Sequence, residues 1–82
     1  MPPGTPLRRG EVVRLTVGAW SVDAFVAVAS ANGRSLFVFF DGAMPLDVGV
    51  LIGSAALLQD EAGAWREIVR QTPVSIVRAR RS

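Results

Sequence analysis

Hydrophobic and polar positions alternate with a period of two over much of the chain, and glycines punctuate the alternation. Glu11 to Val17 sets Val13, Leu15 and Val17 against Val12, Arg14 and Thr16, the pattern of a half-buried strand. Gly18-Ala19 breaks it. A second strand is expected from Trp20 to Ser30 and a third from Arg34 to Phe40. Between these two lies Asn32-Gly33. Asn-Gly flanked by apolar runs is the strongest short-range hairpin signal, because a type I′ turn needs positive φ at both central residues. A two-residue turn sets Ala31 against Arg34 and fixes the register beyond it. Ala29 then faces Leu36, Val28 faces Phe37, Ala27 faces Val38, Val26 faces Phe39 and Phe25 faces Phe40, and opposed residues share a face. One face carries Trp20, Val22, Val26, Val28, Phe37 and Phe39. The other carries Phe25, Ala27, Ala29, Leu36, Val38 and Phe40. Both are apolar, whereas a sheet wetted on one side alternates more cleanly. One face lines the core, so the other needs cover from a tail, a helix or another subunit.

Downstream, Asp41-Gly42 reads as a turn that ends the third strand. Val48 to Ile52 is β-prone and bent or bulged by Gly49 and Gly53. Residues 54–70 admit two readings. Leu58, Ala62, Trp65 and Val69 have helical spacing, with Ser54 as a cap. Against a helix, Gly63 lies in the middle. Asp60-Glu61-Ala62-Gly63 matches a type I turn closing on a left-handed glycine, a bulged hairpin that would pair Leu58 with Trp65. The hairpin is the favoured of the two. Pro73 opens a last strand through Val77. Five to six short antiparallel strands with glycine turns predict an all-β chain, a small closed barrel or sandwich over residues 10–78. Residues 1–9 are expected to be a disordered arm and 79–82 a basic tail.

Composition sharpens this picture. A chain of 82 residues makes one small domain, and without cysteine no disulfide can support it. Half the residues are apolar, more than a core of this size needs, which points to a buried homo-oligomer or protein-partner interface. All nine basic residues are arginine and the net charge is +2. Arg8, Arg9, Arg78, Arg80 and Arg81 put +5 on the two ends, while four arginines against seven acids leave −3 between them. Basic ends can hold nucleic acid or an acidic partner, although solvated ends are the more ordinary outcome. The first residues lack the apolar stretch of a signal peptide. The longest uncharged run, Val48 to Gln59, has twelve residues, and a membrane helix needs about 20. A cytoplasmic protein with no membrane partner is expected.

Gly10-Glu11-x-Val13-x-Leu15-x-x-Gly18-x-Trp20, followed by Val26, resembles the opening of an SH3-like barrel of the KOW or Tudor kind. The resemblance covers residues 10–28 and departs at Asp23-Ala24, where a KOW motif usually has its second glycine. It implies an SH3-like barrel that contacts RNA or protein. Ser30-x-x-Gly33 is similar to the second half of the signature of PilZ domains, barrels that bind cyclic di-GMP. Val28 occupies that signature's acid-or-amide position, and Arg8, Arg9 and Arg14 lack its Arg-x-x-x-Arg spacing. Nucleotide binding is therefore a remote implication, and the hairpin turn is the simpler role for Ser30 and Gly33.

The residue inventory closes most catalytic routes. Without His, Cys or Lys there is no conventional triad, thiol nucleophile, ordinary zinc site, Schiff base or Walker lysine. Asp41, Asp47, Asp60 and Glu61 lie beside glycines or in expected turns, where carboxylates serve the backbone. No catalytic residue, cofactor or metal site is expected. Asp23 is either an edge charge that discourages strand pairing or a partner of Arg14 or Arg34. The aromatics could stack single-stranded nucleic acid, with Arg14 and Arg34 on phosphates. Ser35 to Phe40 carries no basic residue, however, which favours core and interface. The expectation is a non-enzymatic interaction or assembly module. Its anchors are drawn from Trp20, Phe25, Phe37, Phe39, Phe40 and Trp65, with Arg34 as a rim contact at the hairpin tip. The competing expectation is a nucleic-acid-binding module that uses Arg8, Arg9, Arg14, Arg34, Arg78, Arg80 and Arg81.

Overall fold

A computed structural model describes residues 6–46 and 48–79. It is a closed antiparallel barrel of six strands in sequential order: β1 (Val12–Val17), β2 (Trp20–Ala29), β3 (Ser35–Pro45), β4 (Val50–Gln59), β5 (Trp65–Glu67) and β6 (Thr72–Arg78). β6 pairs back onto β1, Val13 opposite Arg78 and Leu15 opposite Ile76, so no full-length edge remains. The alternation read from the sequence is realised on β1, where Val13 and Leu15 are buried between exposed Val12 and Arg14. The described residues contain no helix, so none could cross a membrane.

The β2–β3 connection differs from a two-residue turn. Only Gly33 has positive φ (71°); Asn32 does not. The Gly33 N–H donates to the Ser30 carbonyl at 2.9 Å, and the Ser30 N–H to the Ser35 carbonyl at 2.9 Å. Ala31 to Arg34 therefore form a four-residue loop built on a type I turn. Polar side chains hold it. Asn32 Oδ1 accepts from the Ser30 hydroxyl (2.8 Å) and the Arg34 N–H (3.0 Å). This loop preserves the expected pairs nearest the turn, Ala29 with Leu36 and Val28 with Phe37.

Beyond them a β-bulge at Ala27 shifts the register. Val26 faces Val38, Phe25 faces Phe39 and Ala24 faces Phe40. The two faces expected from an unbroken ladder are accordingly re-sorted on β2. Trp20, Val22, Ala24 and Val26 join Leu36, Val38 and Phe40 inside, while Phe25 and Val28 turn outward with Phe37 and Phe39. Two costs explain the shift. An unbroken ladder would point Asp23 inward, burying a carboxylate without a partner. It would also oppose Phe25 to Phe40 in a core already holding Leu15, Met44, Leu57 and Trp65.

β3 does not end at Asp41-Gly42 but runs on to Pro45. A second irregularity between Phe39 and Ala43, with Gly42 (φ 110°) and Gly53 (φ 80°), bends β3 and β4 together. Residues 54–70 are not helical. Asp60 to Gly63 forms the turn read from the sequence, with the Gly63 N–H on the Asp60 carbonyl (3.0 Å) and Gly63 at φ 92°. Its register is one residue away from that expected: Gln59 faces Trp65, and Leu58 faces Arg66. A three-residue loop pairs Asp60 with Ala64, and the ladder counts on from there.

The chain packs from before residue 10. Leu7 lies against the core, and the Gly10 N–H donates to the Val26 carbonyl at 2.8 Å. Gly33 is buried under this segment; a Cβ there would sit 2.6 Å from Pro6 Cβ.

Candidate interaction surface

The Ala27 bulge and the straight alternation of β3 together build one outward surface. Val12, Phe25 and Phe39 are successive cross-strand partners on β1, β2 and β3. Val28, Phe37 and Ala56 form a second row across β2, β3 and β4. Phe25 is 47%, Phe37 37% and Phe39 49% exposed. Phe37 and Phe39 stand two residues apart on one face of β3, rings 5.3 Å apart and nearly perpendicular, the favourable edge arrangement. No charged side chain belongs to either row. The rows are bordered on β1 and β2 by the Arg14–Asp23 ion pair, 3.0 Å long and about half exposed on both sides.

The other expected anchors lie elsewhere. Phe40 and Trp65 are core residues, and half-buried Trp20 packs edge-on against Phe40 at 5.7 Å. Arg34 spans the two hairpin tips on one end of the barrel. It donates to the Asp60 carbonyl at 2.6 Å, and its own carbonyl accepts from the Gln59 N–H at 2.8 Å.

The described arginines of the basic ends are partly engaged. Arg78 donates to Glu11 Oε1 (2.7 Å) and to the Pro6 carbonyl (3.0 Å). The hydrogen bond from Arg78 holds the Glu11 carboxyl below its ordinary value, outweighing burial, with the Arg8 N–H on Oε2 adding to it. Arg14 also reaches the Ser21 hydroxyl at 3.2 Å. Arg8 and Arg9 are exposed, and Arg80, Arg81 and Asp47 lie outside the described residues.

Glu67 was not singled out by the sequence, yet among the described residues it is the one fully buried acid. Its Oε2 accepts from the Val69 N–H and its Oε1 from the Arg70 N–H, both at 2.9 Å. It thereby ties down the β5–β6 turn, in which Gln71 adopts φ 60°. The available signal was an acid at a strand end before a turn that has no glycine to close it.

Two clefts open beside Trp65, of about 190 and 640 Å³. The smaller contains Asn32, Gln59 and Arg78; the larger contains Thr16 and Ser75. Among the described residues no three carboxylates gather where a metal ion could be held. In comparisons with known proteins, no family model, no curated protein and no solved structure matches this chain.

Proposed function

We propose that this barrel is a non-enzymatic interaction module that docks through the outward Phe25–Phe37–Phe39 face, onto a second copy or another protein. The single observation that carries this is the continuity of two uncharged rows across four strands, with three phenylalanines a third to a half exposed. Exposed apolar patches of this kind, rimmed by polar groups, mark protein contact sites. A nucleic-acid surface would instead intersperse cations among the aromatics. Here Arg14 is drawn to Asp23, and Arg34 and Arg78 serve intramolecular bonds. The closed six-strand barrel is compatible with the SH3-like architecture that residues 10–28 resemble.

Sedimentation equilibrium and binding of an apolar dye test the reading together. The parent chain is expected to self-associate or, as a monomer, to bind the dye. Phe37→Asp with Phe39→Asp is expected to abolish dye binding. A strict monomer that binds no dye overturns the proposal.

A further inference from the structure

β3 and β4 outrun their neighbours. β2 pairs with β3 only as far as Phe40, and β5 pairs with β4 only over Leu57–Gln59. Past the bend at Gly53, Ala43–Pro45 and Val50–Ile52 form a two-stranded arm. Among the described residues no further strand flanks it. Its inner side chains attach it to the barrel: Met44 is fully buried, and Leu46 and Leu51 pack on the core.

The two edges of this arm differ. The Leu46 N–H donates to the Gly49 carbonyl at 3.0 Å, which makes these two a bonded pair. In an antiparallel ladder bonded and non-bonded pairs alternate. Met44–Leu51 is therefore bonded, while Pro45–Val50 and Ala43–Ile52 are not, and these last turn their backbone groups outward. On the β3 edge the outward positions include Pro45, which has no N–H, and the strand also carries exposed Asp41. Both are devices that blunt an edge. The β4 edge has neither. Val50 and Ile52 present outward N–H and C=O groups, and no charge or proline occurs from Val48 to Gln59. An open edge is specific about its occupant, because only another extended strand matches its spacing.

We propose that the Val50–Ile52 edge pairs antiparallel with the same edge of a second copy, joining two arms into a four-stranded sheet. The segment is self-complementary. With a twofold axis at Leu51, Val50 of each copy lies opposite Ile52 of the other, and the two pairs close four N–H···O bonds. The side chains of Val50 and Ile52, 54% and 77% exposed, are then brought alongside those of the second copy. The site shares no residue with the Phe25–Phe37–Phe39 face, so the two proposals stand or fall separately.

The chain has no cysteine, so Leu51→Cys introduces a single thiol. At a non-bonded antiparallel position the two Cα atoms lie about 4.5 Å apart, within disulfide reach. Mild oxidation is expected to give a covalent dimer faster than for the exposed β6 control Ser75→Cys. In sedimentation equilibrium, Ile52→Pro and Ile52→Lys are expected to weaken self-association at least ~10-fold, since Pro removes one donor from each copy. Phe37→Asp is expected to leave the edge dimer in place. Three outcomes overturn the edge: a monomeric parent, cross-linking of Leu51→Cys no faster than the control, or loss of the dimer through Phe37→Asp while Ile52→Pro retains it. The last of these would leave the docking face standing. The cross-linking test does not depend on the proline variant folding.

Discussion

Replacing Glu67 tests whether one buried carboxylate holds the β5–β6 turn. Glu67 is fully buried, opposite Leu57 on β4 and Thr72 on β6, and its two oxygens accept from the Val69 and Arg70 N–H groups at 2.9 Å. A hydrogen bond to a charged acceptor contributes roughly 1.5–3 kcal/mol. Val69 and Arg70 are exposed, so water can replace part of each bond, and about 1 kcal/mol apiece is the better figure. Glu67→Ala also removes buried methylene, at about 0.8 kcal/mol per CH₂. The total is ~3 kcal/mol. Glu67→Gln keeps the methylenes and one acceptor but sets an amide NH₂ against a backbone N–H, for ~1–2 kcal/mol. A domain of 82 residues has roughly 4–12 kcal/mol in hand, so the alanine variant should be severely weakened. Urea denaturation measures the difference directly. Each kcal/mol should also lower Tm by about 4–8 °C. A Glu67→Gln variant as stable as the parent would refute the reasoning, because the charge would then be serving nothing at the turn.

Two further predictions concern the end of the barrel where residues 6–11 meet it. The Glu11 carboxyl is held below its ordinary value near 4.5, first by Arg78. A lowered folded-state pKa contributes stability that is complete above the unfolded value and lost as pH falls through the folded one. The parent should therefore lose Tm more steeply than Glu11→Gln as pH drops below about 4.5, and parallel melting curves would count against the pair. Gly33→Ala should cost more than Gly18→Ala. Both have positive φ, 71° and 59°, but only at Gly33 would the new Cβ meet Pro6 and Leu7, at 2.6 and 2.9 Å. Deleting residues 1–7 should bring the two substitutions to the same cost, about 1–2 kcal/mol each, in denaturant titrations.

The all-β class, the barrel and most strand limits were legible because each rests on local signals: period-two alternation and glycine turns. The register next to the β2–β3 loop was also legible, and for an instructive reason. A two-residue loop centred on Asn32-Gly33 and a four-residue loop from Ala31 to Arg34 pair the same residues, Val28 with Phe37 and Ala29 with Leu36. The longer loop therefore leaves these pairs unchanged. The faces were not legible past Ala27, because a bulge in the middle of an alanine- and valine-rich strand leaves no local mark. Its cause is the cost an unbroken ladder would carry, Asp23 turned inward and Phe25 crowded into the core, both properties of the closed barrel. For the same reason the exposed aromatic set, Phe25 with Phe37 and Phe39, cuts across both faces drawn from the sequence. Glu67 escaped notice because its partners are backbone amides of its own turn, which carry no side-chain signature.

β5 is three residues long and meets each neighbour over three positions, where β2 and β3 run for ten and eleven residues. Closure of the cylinder thus depends on its shortest stave. Cooperative units with the fewest ladder bonds open at the lowest free energy, so amide exchange at Trp65, Arg66 and Glu67 should run ahead of that on β2 and β3. Each such opening bares the rest of β4 through Gln59, ten consecutive residues with neither charge nor proline. The seam of this barrel is therefore also where strand-to-strand association at high concentration would begin, and Glu67, by fixing the turn that follows β5, is one of the contacts that hold β5 in place.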